Sequence, residues 1–345
     1  MSGRYRSAVR RIIAAIVVIL GAALASPSFA DMLKDVRGRG YLLCGVNQGL
    51  PGFAAMDQRG IWAGFDVDFC RAVAAAVFGD ATKVRLVPLS ADARFQALQA
   101  RKIDVLARNS TWTMARETQY GLTFVGVTYY DGQGFLVPRA MRVSSALELD
   151  GAKICVQRGT TTIDNLADYF AANRMNFTAV VSMSADESVK NYDAGLCSVM
   201  TSDLSQLYAL RLKLSKPRDH VVLPDVISKE PLGPVVRNDD RQWIDVVRWV
   251  HFAMLNAEEL GVSSRTIAQA MGSQKPEVMR LVGNSGDFGQ QIGLTDAWAA
   301  NVIRLVGNYG EVFERNLGAK TALGIPRGLN QLWTSGGIQY APPIR

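Results

Sequence analysis

Hydrophobic and polar positions follow a repeated order along the chain from Tyr41: a short apolar run, a segment with apolar residues at helical spacing, and another short apolar run. This order is typical of βαβ units. Because helices alternate with strands, we expect parallel sheets with helices on both faces, which is an α/β fold. The first series predicts strand Tyr41–Val46, helix Asp66–Phe78, strand Val84–Leu89, helix Ala93–Gln99 and strand Ile103–Ala107.

A second series begins after a turn-rich stretch, Thr128–Val137, and has the same order without sequence identity to the first. The repetition predicts two doubly wound lobes. The predicted strands are Lys153–Gln157, Thr178–Ser182, Ser198–Thr201 and Val221–Leu223, and the predicted helices are Thr162–Ala172, Ala185–Ala194 and Leu204–Lys213.

The tail from Asp239 is mostly helical, and it has no βαβ pattern of its own. We expect this C-terminal helical extension to pack on lobe 1. The chain would then cross between the lobes twice, near Asp131–Gly134 and near Glu230–Gly233, and the two crossings would form a two-stranded hinge. The predicted boundaries are residues 31–131 and 231–345 for lobe 1 and residues 132–230 for lobe 2.

The first thirty residues have the pattern of a signal peptide, which would span residues 1–30. Basic residues between Arg4 and Arg11 precede the apolar run Ile12–Leu24, and the small residues Ser28 and Ala30 mark a cleavage site after Ala30. The apolar run, about thirteen residues, is shorter than the ~20 needed to span a bilayer, so a retained anchor is the less favoured alternative. The pattern predicts export through the Sec pathway to the periplasm.

Removal of this segment lowers the net charge of the protein. It takes away four arginines and no acids, so the formal charge of the mature chain falls from +7 to +3. The remaining basic residues alternate with acids and form no Lys/Arg-rich run, which disfavours a nucleic-acid partner. The remaining 315 residues are more than one ordinary core holds, in agreement with two lobes.

Four cysteines remain in this exported chain, where thiols are usually oxidised. Three pairings are possible, and one bridge within each lobe, Cys44–Cys70 and Cys155–Cys197, is the simplest. A zinc site is the alternative, but no pair has C-x-x-C spacing and the chain contains only two histidines. We therefore expect no metal and no cofactor.

Candidate ligand-binding residues follow the strands, because ligands of open α/β sheets sit at the carboxyl ends of the strands. Arg116 can offer a planar fork to a carboxylate, Thr160 to Thr162 place free N–H groups at a helix start, and Asp203 can accept from an ammonium. Together they predict a receptor for a zwitterion. The candidates are Asn47 and Phe53 after the first strand, Asn109, Thr111 and Arg116 after the third, and Thr160, Thr161 and Asp203 in the second lobe.

Each candidate has a structural alternative. Asp203 and the threonine turn could only cap their helices, and Arg116 could pair with Glu117. Phe53 is an aromatic residue of a kind that is more often core than ligand-stacking. Among catalytic motifs, the chain has no G-x-S-x-G, H-E-x-x-H, Walker A or G-x-G-x-x-G sequence, so we expect no enzyme activity.

The segment Gly64–Ala74 resembles the G-F-D-x-D signature of the family 3 extracellular solute-binding proteins of ABC transporters. Further segments along nearly the whole mature chain resemble the general L-amino-acid binding proteins of Aap/Bzt type. These segments are CGVNQGLPGF (Cys44–Phe53), NSTWT (Asn109–Thr113), GVTYYDGQGF (Gly126–Phe135), VVLPDVISKEPLGP (Val221–Pro234) and YAPPIR (Tyr340–Arg345).

The resemblance implies a periplasmic-binding-protein-like fold of type II, a monomer that binds free L-amino acids with broad specificity, and delivery to an inner-membrane ABC permease. It implies that Arg116 and Thr161 hold the α-carboxylate and Asp203 the α-ammonium, with Asn109 and Thr111 as further polar contacts. The chain departs from such relatives after Cys197, where Ser198 replaces an aspartate; we expect this side chain to lie outside the cleft.

Two other classes share such lobes. Dehydratases acting on prephenate or arogenate would need an acid or base in the cleft, for which Asp203 or Glu230 are the candidates, but the loops show no paired carboxylates. A sensor domain, which would continue into a membrane helix and an output domain, is the weaker alternative.

Overall fold

Ten of the strands in the described residues form two five-stranded sheets, one in each lobe, and the other four form two two-stranded sheets. The computed structural model describes residues 31–345, and the predicted signal peptide lies outside the described residues. The strands are β1 (Leu42–Asn47), β2 (Ala55–Met56), β3 (Trp62–Ala63), β4 (Val84–Leu89), β5 (Val105–Leu106), β6 (Leu122–Phe124), β7 (Tyr129–Asp131), β8 (Gln133–Pro138), β9 (Ala152–Gln157), β10 (Phe177–Ser182), β11 (Val199–Asp203), β12 (His220–Val222), β13 (Glu230–Leu232) and β14 (Val235–Arg237).

The α-helices of the described residues surround these sheets. They are α1 (Met32–Arg39), α2 (Phe65–Phe78), α3 (Arg94–Gln99), α4 (Met114–Tyr120), α5 (Thr162–Ala172), α6 (Ala185–Asp193), α7 (Leu204–Arg211), α8 (Arg241–Glu259), α9 (Ile267–Ala270), α10 (Pro276–Leu281), α11 (Phe288–Gln291), α12 (Trp298–Leu305) and α13 (Tyr309–Asn316). Within residues 31–345, none of these helices has both the length and the apolar character needed to cross a bilayer.

Sheet 1, in lobe 1, has the order β4-β1-β5-β14-β6, and sheet 2, in lobe 2, has the order β10-β9-β11-β8-β12. The βαβ strands are parallel as predicted, but β14 runs antiparallel to β5 and β6, and β8 runs antiparallel to β11 and β12. The expectation of purely parallel sheets is therefore wrong. The physical reason is connectivity: β8 and β14 follow the crossings between lobes and enter their sheets in the reverse direction.

The stretch predicted as turn-rich contains most of the hinge. Its residues form β7 and β8, and β7 pairs antiparallel with β13, so that Asp131 lies opposite Glu230. A glycine between the two strands hid their pattern. A Cβ on Gly132 would lie 2.9 Å from the carbonyl oxygen of Ser228, so the close approach of the two backbone segments favours glycine there. The two crossing strands form the hinge that the sequence predicts.

The core of lobe 1 is built around α2. This helix is buried along nearly its whole length, and it ends at Gly79, whose φ of 67° is the left-handed C-cap conformation that favours glycine. A disulfide joins Cys70 in α2 to Cys44 in β1, and a second joins Cys155 to Cys197 in lobe 2. Each bond thus ties a strand to a neighbouring segment of its own lobe.

The C-terminal helical extension packs on lobe 1, as predicted, because α8, α12 and α13 contact α2 or one another through buried apolar faces. The extension also reaches the hinge. Tyr309 Oη donates to the carbonyl of Thr128 at 2.9 Å, and Asn330 accepts from the backbone N–H of Tyr130 at 2.7 Å and donates to its carbonyl at 3.1 Å. The outer edge of β7 is therefore hydrogen-bonded to extension side chains.

Candidate functional site

A small buried cavity of about 20 Å³ lies where the loops of the two lobes meet. Lobe 1 contributes the loop after β5 and lobe 2 contributes the starts of α5 and α7, as expected for ligands at the carboxyl ends of strands. The predicted residues that line the cavity are Asn109, Thr111, Arg116, Thr160, Thr161 and Asp203. An open chamber of about 590 Å³ adjoins the cavity and shares Arg116, Thr160 and Thr161 with it.

Arg116 lies in the first turn of α4, where the Thr113 hydroxyl accepts from its backbone N–H at 3.3 Å. Its Nη1 donates to the carbonyl of Thr111 at 2.7 Å, and its guanidinium carbon lies 5.2 Å from the centre of the Phe95 ring. Burial lowers the pKa of Arg116 against the opposing charges of Asp203 and Glu230. The alternative pairing with Glu117 does not occur in the structure, because that carboxylate accepts from the backbone N–H of Phe124 instead.

Asp203 stands at the N-cap position of α7, but its side chain makes no capping hydrogen bond. The cap comes from the hinge: Asp131 accepts from the backbone N–H of Ser205 at 3.2 Å and from its hydroxyl. The Asp203 carboxylate is thereby left to face the cavity. Burial and the neighbouring charges of Asp131 and Glu230 raise the pKa of Asp203 above its usual range, as burial raises that of Asp131 to about 6.

The threonine turn, Thr160 to Thr162, contributes hydroxyl groups and the start of α5 to the site. Thr160 Oγ1 donates to the Gln157 carbonyl at 2.7 Å and accepts from the backbone N–H of Thr162 at 3.3 Å, which fixes the turn before α5. Thr161 makes no side-chain cap; its hydroxyl donates to Glu230 at 3.0 Å. The N-terminus of α5 therefore presents positive potential to the cavity wall.

Glu230 connects both lobes at the hinge. It is only 1 % exposed and accepts from Thr111 of lobe 1, from Thr161 and Asn165 of lobe 2, and from Ser228 beside it. The sequence marked this residue as a crossing point and as a candidate base. Its role as a shared acceptor depends on four donors from separate segments, which no local pattern predicts.

Asn47 and Phe53 do not line the cavity. Asn47 Nδ2 donates to Asn109 Oδ1 at 3.0 Å, so it positions a residue that lines the cavity without lining the cavity itself. Phe53 is 1 % exposed, and its ring packs edge-on against Phe65 and Tyr129, so the structure places it in the core rather than beside a ligand.

The lobes touch across the cleft at its rim. Arg158 Nε of lobe 2 donates to Asp92 of lobe 1 at 3.0 Å, and Lys213 Nζ donates to the Gly49 carbonyl at 2.6 Å. Asn109 Nδ2 also donates to Gln206 Oε1 at 3.1 Å. These contacts from lobe to lobe describe a closed cleft.

Two arginines missed by the sequence reasoning, Arg94 and Arg108, also line the cavity. Arg94 starts α3, and Arg108 follows β5 and directly precedes Asn109. The signal that could have found Arg108 is its place in the same loop as the other candidates. Arg94 lies in a segment whose pattern shows only an amphipathic helix.

The comparisons with known proteins agree with this architecture. Residues 42–265 match the model of the bacterial extracellular solute-binding proteins, family 3. The chain is 55% identical, over 96% of its length and 97% of the relative's, to the general L-amino acid-binding periplasmic protein AapJ of Rhizobium johnstonii. It is 52% identical, over 95% of its length and 97% of the relative's, to the glutamate/glutamine/aspartate/asparagine-binding protein BztA of Rhodobacter capsulatus.

A solved structure of an ABC transporter periplasmic binding protein from Brucella ovis with glutathione bound superposes with a TM-score of 0.90. It is 52% identical, and the match covers 92% of this chain and 100% of that chain. The fold is thus the type II periplasmic-binding-protein fold. The family match ends at residue 265, whereas these relatives match nearly the whole chain, so they share the C-terminal extension.

Proposed function

The chain belongs to the bacterial extracellular solute-binding proteins of family 3, and from that premise we propose that it binds free L-amino acids in its cleft and delivers them to an inner-membrane ABC permease. Proteins of this family act in transport and are not enzymes. The family is extracellular or periplasmic. Export through the Sec pathway, cleavage after Ala30 and a monomeric state belong to the proposal.

The observation that carries the proposal is that Arg116 and Asp203 line one buried cavity. Burial of a zwitterion is costly unless both of its charges are paired. Arg116 offers its fork to the α-carboxylate, and Asp203, relieved of capping by Asp131, accepts from the α-ammonium. The cavity therefore has one partner for each charge that all free amino acids share.

The other cavity residues complete the proposed site. Thr160, Thr161 and the start of α5 add positive potential for the carboxylate, and Asn109 and Thr111 add polar contacts. Asn47 acts through Asn109. Because Arg116 belongs to one lobe and Asp203 to the other, a ligand that touches both favours the closed form. We place the lobe boundaries at residues 31–131 with 231–345, and 132–230.

Broad specificity is part of the proposal. The names of the relatives cover general L-amino acids and four named amino acids, and the Brucella ovis protein holds glutathione, a larger ligand with an amino-acid end. The open chamber beside the cavity offers room for groups larger than a single side chain. Recognition through the shared backbone groups would leave the side chain less restricted.

The test is calorimetry on the mature protein, beginning at Asp31, against the twenty L-amino acids. We expect binding of several amino acids at micromolar or tighter Kd, about −8 kcal/mol. Arg116→Ala should abolish all of this binding, because the carboxylate is common to every ligand. Arg59→Ala, an exposed arginine of lobe 1, is the control. Absence of binding to any amino acid would overturn the proposal, and a loss limited to one side-chain class would contradict the role of Arg116.

A further inference from the structure

The cavity contains more guanidinium groups than the backbone of an amino acid requires. Arg94, Arg108 and Arg116 all line it, and Arg94 and Arg108 are only 2 % and 6 % exposed. One planar fork is enough for one α-carboxylate. If Arg116 takes that role, two buried guanidinium groups remain without an assigned ligand group.

Neither of these guanidinium groups is fully paired by the protein. Arg94 Nη1 donates to the Ala91 carbonyl at 2.7 Å, but its buried Nε has no hydrogen-bond partner within the described chain. Arg108 Nε donates to the Leu89 carbonyl at 2.8 Å. A guanidinium carries five N–H donors, and a buried cation with open donors is unfavourable until an anion meets it.

The charges facing this pair come from several elements. Asp66 of α2 faces Arg108, and Asp203 and Asp92 face Arg94, while the neighbouring arginines repel one another. Asp203 has its own proposed partner in the ligand ammonium, and Asp92 is held at the rim by Arg158. Within residues 31–345, neither Arg94 nor Arg108 forms an ion pair with these carboxylates, and their hydrogen bonds go to backbone carbonyls.

The hinge carboxylates do not pair with these arginines either. Glu230 accepts hydrogen bonds from four side chains, and Asp131 caps α7. The open donors of Arg94 and Arg108 therefore lie at the cavity wall, where an anionic group of a ligand can meet them.

We propose that Arg94 and Arg108 form a second anion subsite, which binds a carboxylate on the side chain of the ligand and makes the closed cleft prefer acidic amino acids over their amides. This inference rests on the proposed function and names the side-chain chemistry that the same cleft selects. The α-carboxylate binds Arg116, the α-ammonium binds Asp203, and the side-chain carboxylate accepts hydrogen bonds from the arginine pair.

The test compares L-glutamate with L-glutamine, which have nearly the same shape and differ in charge. The mature protein should bind glutamate about tenfold more tightly than glutamine, as expected for a charge-assisted hydrogen bond in a buried site. Arg94→Gln and Arg108→Gln should each lower the affinity for glutamate about tenfold and change that for glutamine less than about threefold. Arg59→Gln, at an exposed arginine of lobe 1 outside the cavity, is the matched control and should change neither affinity.

Equal affinity of the unmodified protein for glutamate and glutamine would overturn the proposed subsite. Equal losses of affinity for both ligands in the Arg94 and Arg108 variants would also overturn it, because they would indicate a structural role for these arginines. If circular dichroism shows that a glutamine variant is unfolded, the ratio of the two affinities is read from Arg94→Lys, which keeps the charge but loses the fork. Binding of glutamine without preference for glutamate would leave the proposed function intact, whereas failure to bind any amino acid would refute the function itself.

Discussion

Asp66, in the first turn of α2, should make the stability of the protein fall as the pH rises toward neutrality. Burial raises the pKa of its carboxyl group from 3.8 to about 7, although the backbone N–H of Asn109 and the charge of Arg108 act in the opposite direction. Between these two pH values the folded protein holds a proton that the unfolded chain releases. Because the unfolded state binds fewer protons there, stability decreases with rising pH through this window.

The size of the effect follows from the two pKa values. A difference between 3.8 and about 7, at about 1.36 kcal/mol for each pH unit, corresponds to a destabilisation of about 4 kcal/mol that is absent below pH 4 and complete above pH 7. Asp66→Asn keeps an oxygen that can accept from the Asn109 N–H but cannot ionise. The variant should therefore gain stability over the unmodified protein as the pH rises, by about 4 kcal/mol in total.

The assay is urea unfolding of the ligand-free mature protein at several pH values from 4 to 8, with both disulfides intact. The difference in the free energy of unfolding between variant and parent isolates Asp66, because all other titrating groups are common to both. Asp168→Asn, which replaces an exposed carboxylate on α5, is the control. A difference that is flat across the range for Asp66→Asn would refute the reasoning.

Two further predictions concern the second lobe. The affinity for neutral amino acids should fall as the pH is lowered, because Asp203, whose pKa is raised, must be ionised to pair with an ammonium. Asp203→Asn should bind weakly at every pH, and calorimetry that finds the same pH dependence in both proteins would contradict this role. Replacing Cys155 and Cys197 together by serine should lower the free energy of unfolding by about 4 kcal/mol, because the disulfide no longer restricts an unfolded chain in which the two cysteines are 42 residues apart. Urea unfolding measures this difference, and a loss below about 1 kcal/mol would contradict the chain-entropy argument.

Local periodicity was enough to predict the helices and the parallel strands of the βαβ units. Strand β4 and helix α5 have the predicted bounds, because their apolar spacing and flanking turns are visible in adjacent residues. The antiparallel strands were missed because their direction depends on how the preceding chain connects the two lobes. Only three residues, Val235–Arg237, form β14, and such a short run shows no period of its own.

The candidate site was also only partly predictable from the sequence. The loop position of Arg116 and Asp203 could be predicted, since it depends only on strand ends. What the sequence could not show is which acid caps α7: Asp131 lies far away along the chain, and its hydrogen bond to Ser205 is what leaves Asp203 without a capping role. The place of Arg94 at the cavity wall, with its buried Nε unpaired, was likewise hidden, because it arises only when α3 folds against the cavity.

The side chains of the extension that bond to β7 determine where the molecule can bend. An edge strand normally leaves N–H and C=O groups open to water or to another strand. Here Tyr309 and Gln339 bond the carbonyl of Thr128, and Asn330 bonds the N–H and the carbonyl of Tyr130. The first part of this crossing strand is thus fixed to lobe 1. Bending of the strand is left to the bonds after Tyr130, next to Asp131 and its cap on α7, so opening the cleft would also move the acid that frees Asp203 from capping.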